Sequence, residues 1–203
     1  MTQIALPLMH RGSDDPGSII LGNANAHVAD ALRRPDDWPY RTAILRGGAR
    51  SGKSLFGRWF AASGGGAVID GADRWDEAEL FHRWNAAQDG GGGLLLISDA
   101  DGWNVRLPDL ASRVKSALHM EIREPDDAMA AELMQSMAQQ RGLALGEGAP
   151  AYLVPRTERS FAGIERTVIA IDRLTLERKV PATMGIWRDA IDALHGPEQT
   201  RLF

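Results

Sequence analysis

Short apolar runs recur through the first 124 residues, separated by segments long enough for a helix. RTAILR (41–46), AVID (67–70) and LLLIS (94–98) read as strands. ALHMEIRE (117–124) alternates strictly and places Leu118, Met120 and Ile122 on one face of a fourth strand. Between these lie an apolar segment, Leu55 to Ala62, and a stretch from Trp75 to Gln88 with helical spacing. In the latter, Trp75, Leu80 or Phe81, and Trp84 recur at about one turn. LPDLASRV opens another short helix, with Asp109 near its start, and glycines 64–66 and 90–93 break the chain before two of the strands. Strands alternating with helices predict a parallel sheet covered on both sides.

The pattern changes after Pro125. Asp126 and Asp127 suit a helix start, Met129, Leu133 and Met137 line one face, and Gly142 suits the end. Residues 148–155, 160–178 and 182–194 read as further helices, and no strand is evident. The expected organisation is an α/β domain over 19–124 and a small all-α domain over 125–195. Tails at 1–18 and 196–203 flank them.

Composition narrows the function classes. A chain of 203 residues with 44% hydrophobic positions can bury one good core and a small second one. The net charge of -4 argues against holding nucleic acid by charge alone. With no cysteine there is no disulfide framework, thiol catalysis or Cys-ligated zinc, which fits a reducing cytoplasm. The five histidines are scattered, so a His-based metal site is not expected. No apolar run approaches the roughly 18 residues of a membrane span, and Asp14 and Asp15 disfavour a secretory N-terminus.

The clearest chemistry lies in GGARSGKS: Gly47, Gly48, Ala49, Arg50, Ser51, Gly52, Lys53 and Ser54. This fits G-x-x-x-x-G-K-[ST] between a strand and a helix, where backbone N–H groups cradle phosphates and the helix N-terminus adds positive potential. Lys53 would reach the β/γ-phosphates of ATP or ADP, and Ser54 would ligate Mg²⁺. Asp70 ends AVID where the acid holding Mg²⁺ is expected, although a strand-end Asp also caps turns; Gly71 stands where a second acid would activate water. Ser98 and Asp99 close LLLIS, where a polar residue could sense the γ-phosphate or simply make an Asx turn. Asp70 follows Lys53 by only seventeen positions, room for one helix and no additional βα unit between them.

Both ends carry peptides a core does not need. TQIALPL (2–8) brings Ile4, Leu6 and Leu8 together with a Pro7 that forbids a helix, on a turn-rich tether. QTRLF (199–203) follows Gly196 and Pro197, which end the last helix. Either peptide could instead fold back on its own domain.

The segments QIALPL, GGARSGKS, AVID, LLLISDADGW and above all LPDLASRV resemble the Hda family, DnaA-related AAA+ proteins that act as regulatory inactivators of DnaA. The resemblance runs over nearly the whole chain. It implies a P-loop AAA+ domain followed by an all-α lid. It makes Arg113, in LPDLASR, an arginine finger acting in trans on DnaA-bound ATP. It also makes Gln3, Ile4, Leu6, Pro7 and Leu8 the peptide that enters the pocket of the DNA polymerase sliding clamp (beta subunit). Gln199, Leu202 and Phe203 fit a second clamp-binding pattern, Q-x-x-L-F. The implied function is negative regulation of replication initiation: the clamp-bound protein stimulates hydrolysis of DnaA-bound ATP and meets DNA indirectly, through the clamp. A homodimer is compatible with it; a membrane partner is not expected.

Three features depart from that family's pattern. The short span from Lys53 to Asp70 leaves about four parallel strands rather than five, Gly71 removes the second acid, and Ala162 falls where a nucleotide-contacting sensor arginine is expected. Together they predict a protein that holds nucleotide, ADP or ATP with Mg²⁺, and has little intrinsic ATPase activity. Two alternatives remain at this point: a clamp-tethered adaptor with a vestigial P-loop, and a free-standing AAA+ ATPase or clamp-loader-like subunit.

Overall fold

The computed structural model describes residues 19–99 and 103–196. The chain divides between Arg123 and Glu124 into two compact units. Among the described residues no helix is long and apolar enough to cross a membrane.

The first unit is built on four parallel strands: β1 (Thr42–Gly47), β2 (Gly66–Ile69), β3 (Gly93–Ile97) and β4 (Leu118–Ile122). Their order is β2-β3-β1-β4, so the P-loop strand is central. Register pairs Thr42 with Leu94 and Leu45 with Ile97, and on the other side Ala43 with Leu118. Because β3 is buried along its length, and β1 from Thr42 to Leu45, they read in sequence as apolar runs, LLLI and AIL. The edge strand β4 alternates, with Met120 and Ile122 buried and His119 and Glu121 exposed. The α/β fold with a four-stranded parallel sheet is the one the strand count predicts.

α1 (Ala26–Leu32) precedes β1, and three helices connect the strands: α2 (Lys53–Ala62), α3 (Glu77–Asp89) and α4 (Pro108–Ser116). On one face of the sheet Ile44, Ile69, Leu94 and Leu96 form a core with Leu80, Trp84, Leu110 and Val114, from α3 and α4. α2 packs on β1, β2 and β3. Gly57 permits that approach: a Cβ there would come within 2.8 Å of the Ile97 side chain and 3.0 Å of Val68. Before β1, Trp38 stacks on Phe60 with ring centroids 5.2 Å apart.

Two local features differ from the sequence expectation. Trp75 lies outside α3, because Asp76 is the N-cap and accepts from the N–H groups of Ala78 and Glu79. α1 stands in a stretch where no element is expected, held by Asn25, whose side chain accepts from the Gly22 N–H and donates to the Ile20 carbonyl.

The second unit is all-helical: α5 (Asp127–Gln140), α6 (Ala149–Leu153), α7 (Phe161–Arg178) and α8 (Met184–His195). Asp126 and Ser160 cap α5 and α7 through the N–H groups of Met129 and Gly163. Met134, Leu153, Ile164, Val168, Ile171 and Ala190 are buried.

Candidate functional site

β1 runs through the middle of the sheet and delivers residues 48–52 from its C-terminal end to the first turn of α2. Two residues of that loop, Arg50 (φ 64°) and Gly52 (φ 88°), adopt left-handed backbone, the conformation that turns successive N–H groups toward one side. Gly47 is required by close approach: a Cβ there would sit 2.8 Å from Ser51 Oγ and 3.1 Å from the Ile122 carbonyl. Gly48, Ala49 and Arg50 are exposed, Ser51 is buried, and Ser54 is exposed on the second residue of α2.

Lys53, the first residue of α2, is only 7% exposed. Its ammonium donates to the carbonyls of Gly47 (2.7 Å) and Gly48 (3.0 Å) and pairs with Asp99 at 3.0 Å. Asp99 also receives Arg74, Nη1 to Oδ2, at 3.0 Å, and its N–H donates to the Asp73 carboxylate. The Lys53 hydrogen bond, opposed by partial burial and reinforced by the charges of Lys53 and Arg74, holds the Asp99 carboxyl below the usual carboxylate range. Ser98 is buried behind Asp99, and its N–H donates to the Leu45 carbonyl.

The loop fits a phosphate group on its own evidence. Ser51 Oγ is buried with no hydrogen-bond partner among the described residues, and the Lys53 ammonium is otherwise spent on loop carbonyls and one carboxylate. Ser54 and Asp70, just past β2, are exposed oxygen donors. Such a pair suits Mg²⁺, which keeps waters and takes the rest of its shell from phosphates. No group of three or more His, Cys, Asp or Glu among the described residues would hold a metal unaided.

Arg113 lies on α4, half-buried, away from the loop residues named above in sequence and on a separate set of contacts. Its guanidinium sits 4.5 Å over the Phe81 ring, and Nη1 donates to Asn85 Oδ1 at 2.6 Å. Phe81 and Asn85 are one turn apart on α3, so they present a single face to the arginine. The start of the LPDLASR segment is anchored to the same helix: the Glu77 carboxylate accepts from the N–H groups of Arg106 (2.9 Å) and Leu107 (2.6 Å). Glu77, Phe81 and Asn85 were not marked by the sequence as site residues, although their i, i+4 spacing places them in one row.

In the second unit Ala162 is the second residue of α7 and half-buried. The flanking arginines have local acidic partners, Arg159 with Asp127 at 2.5 Å and Arg166 with Glu158. Gln3, Ile4, Leu6, Pro7 and Leu8, and Gln199, Leu202 and Phe203, lie outside the described residues.

No protein-family model matches the chain. An uncharacterized Haemophilus influenzae protein is 28% identical over 112 residues, which is 54% of this chain and 48% of that protein, so the chain spans about half the length of that relative. Among solved structures, domain III of the Thermotoga maritima replication initiation protein DnaA superposes with a TM-score of 0.75. The match has 14% identity and covers 95% of this chain and 100% of that one. AMPPCP-bound DnaA from Aquifex aeolicus gives 0.62 at 17% identity, over 83% of this chain and 68% of that one. A central P-loop strand, a parallel sheet and a helical second unit thus make up a DnaA-like AAA+ fold.

Proposed function

We propose that this chain is a negative regulator of replication initiation. Tethered to the sliding clamp by Gln3–Leu8, it stimulates hydrolysis of DnaA-bound ATP with Arg113 supplied in trans. The observation that carries the reading is the state of Arg113. Its flat face rests on Phe81 and one of its five donors is used by Asn85. The guanidinium is therefore oriented while most of its in-plane N–H groups have no partner among the described residues. Such a group can meet charge developing on a neighbouring molecule's γ-phosphate without first being ordered. An arginine supplied in trans is worth roughly 10³–10⁵ in rate in GTPase systems.

The P-loop has a supporting role in this proposal. Lys53 and the loop N–H groups bind the phosphates of ADP or ATP, Ser54 and Asp70 carry Mg²⁺ with the nucleotide, and Ser98 backs the loop. Bound nucleotide supplies fixed negative charge that orders GGARSGKS. Gly71 provides no carboxylate to activate water, so the chain turns over its own nucleotide slowly. The test is single-turnover hydrolysis of DnaA-bound ATP with the chain, clamp and DNA present, each omitted in turn. Stimulation that requires all three supports the proposal; an unchanged DnaA rate with all three present overturns it.

A further inference from the structure

The carboxylate of Asp99 bridges two cations, taking Lys53 Nζ on one oxygen and Arg74 Nη1 on the other, both at 3.0 Å. Lys53 is buried and belongs to the P-loop; Arg74 comes from the short turn Ala72–Arg74 that follows β2. Nothing in the phosphate-loop motif calls for Arg74. Asp99 holds it there, and Gly71 leaves the room for it. That residue has left-handed backbone (φ 66°), and a Cβ on it would lie 2.3 Å from Arg74 Nη2. The guanidinium therefore lies across the space that a side chain at position 71 would fill. The turn is fixed to β3 from the other direction, because Asp73 accepts the Asp99 N–H at 3.2 Å.

We infer that Arg74 is a phosphate-binding residue, and that the γ-phosphate of a nucleoside triphosphate binds between Lys53 and Arg74 in the place the Asp99 carboxylate fills here. This rests on reading GGARSGKS as a nucleotide site. The chemistry is that of exchange between like anions. A carboxylate with one oxygen on each of two cations imitates a phosphate, which offers three oxygens and more charge to the same pair. Arg74 is 66% exposed on its side chain, so it is accessible to a ligand, and its fork suits phosphate oxygens. With glycine at position 71 and arginine at position 74, the same space holds a guanidinium and no carboxylate. The site exchanges the means of activating water for a firmer hold on phosphate.

The experiment is calorimetric titration of the full chain with AMPPCP and with ADP, each with Mg²⁺, for wild type, Arg74→Ala and Asp99→Asn. Arg74→Ala is expected to weaken AMPPCP binding about tenfold, the loss of one charge-assisted hydrogen bond, and ADP binding less. Asp99→Asn is expected to strengthen AMPPCP binding, since it removes the competing carboxylate and retains the shape. Unchanged AMPPCP affinity in Arg74→Ala, an equal loss for ADP, or weaker AMPPCP binding in Asp99→Asn overturns the inference while leaving the nucleotide site in place. A wild-type chain that binds neither nucleotide overturns the nucleotide-site reading and this inference with it.

Discussion

Arg113 and Asn85 are joined by a 2.6 Å hydrogen bond between α4 and α3, and the same guanidinium lies over Phe81. A long side chain carrying about 2 kcal/mol of rotamer entropy is thereby ordered before it meets any partner. Replacing Arg113 with alanine should leave folding and nucleotide binding intact and return DnaA's ATP hydrolysis to its unstimulated rate. Lysine should not rescue, because a point charge lacks the fork. Asn85→Ala should lower the stimulated rate at saturation by about tenfold or less, the scale of one hydrogen bond to a charged group. Full stimulation by Arg113→Ala would remove the finger assignment.

Glu77 accepts the N–H groups of Arg106 and Leu107 just before α4 begins. Glu77→Ala leaves both donors without that acceptor. It should cost about 1–2 kcal/mol of stability, read as a lower urea midpoint at unchanged m. Stimulation of DnaA should fall as well, since the α4 segment carrying Arg113 loses an anchor. A midpoint identical to wild type would show that the anchor contributes nothing.

Lys53→Ala removes the buried ammonium from the Gly47 and Gly48 carbonyls and from Asp99. Nucleotide binding should weaken, and with it the thermal stabilisation that ligand confers, about 2.7 kcal/mol at a hundredfold excess over Kd. Thermal melts with and without ADP check this, and an equal ADP-induced shift in both proteins would contradict it. Intrinsic ATP turnover by wild type should lie well below ~1 s⁻¹, the low end for ordinary enzymes.

The Asp99 carboxyl titrates below its ordinary value of about 3.9, chiefly because Lys53 donates to it. A depressed folded-state value means the ionised form is favoured by folding. Its contribution is therefore complete above the unfolded value and lost as pH falls through the folded one. Half-exposed as it is, the pair is worth no more than about 1 kcal/mol. The stability difference between wild type and Asp99→Asn should thus be flat from pH 5 to 7, at roughly that size, begin to fall below about pH 4, and vanish only once the pH has dropped below the depressed folded-state value. A difference that grows on acidification would refute the assignment.

Clamp binding should reside mainly in the N-terminal peptide. Gln3→Ala/Leu6→Ala should weaken binding to the purified clamp far more than truncation after Glu198, since each Leu or Phe anchor is worth roughly 1.5–3 kcal/mol when buried. If truncation abolishes binding and the double variant binds normally, QTRLF is the clamp peptide instead.

The sheet and the phosphate loop were legible because their signals are local. β3 is a continuous apolar run, β1 holds a shorter one at Ala43–Leu45, β4 alternates, and Gly47 to Ser54 is a contiguous motif. α1 was not legible, because seven residues give fewer than two turns in which a period can show. The Arg74–Asp99 pair joins residues 25 positions apart across two strand ends, a distance over which no propensity or spacing speaks. Ser98 and Asp99 could be singled out as strand-end polar residues, but burial of the first and double ion-pairing of the second follow only from register. Asp76 as the cap of α3 carried a readable signal, with Glu79 three positions on, that the apolar spacing through Trp75 obscured.

A four-stranded sheet has two edges, and the chain treats them differently. β4 is covered by the segment around α1: the Arg123 N–H donates to the Ala24 carbonyl, and the His27 ring bonds the Glu121 carbonyl. β2 is the other edge, and among the described residues no further strand pairs with it. An open strand invites pairing with a second molecule and, from there, precipitation. Here the hazard is limited by brevity. β2 is four residues long and begins at Gly66, where a Cβ would lie 1.9 Å from the Gly93 carbonyl, so ordinary residues cannot prolong the strand at that end. The glycines that look like mere spacers therefore help to keep this unpaired edge too short to serve as a template.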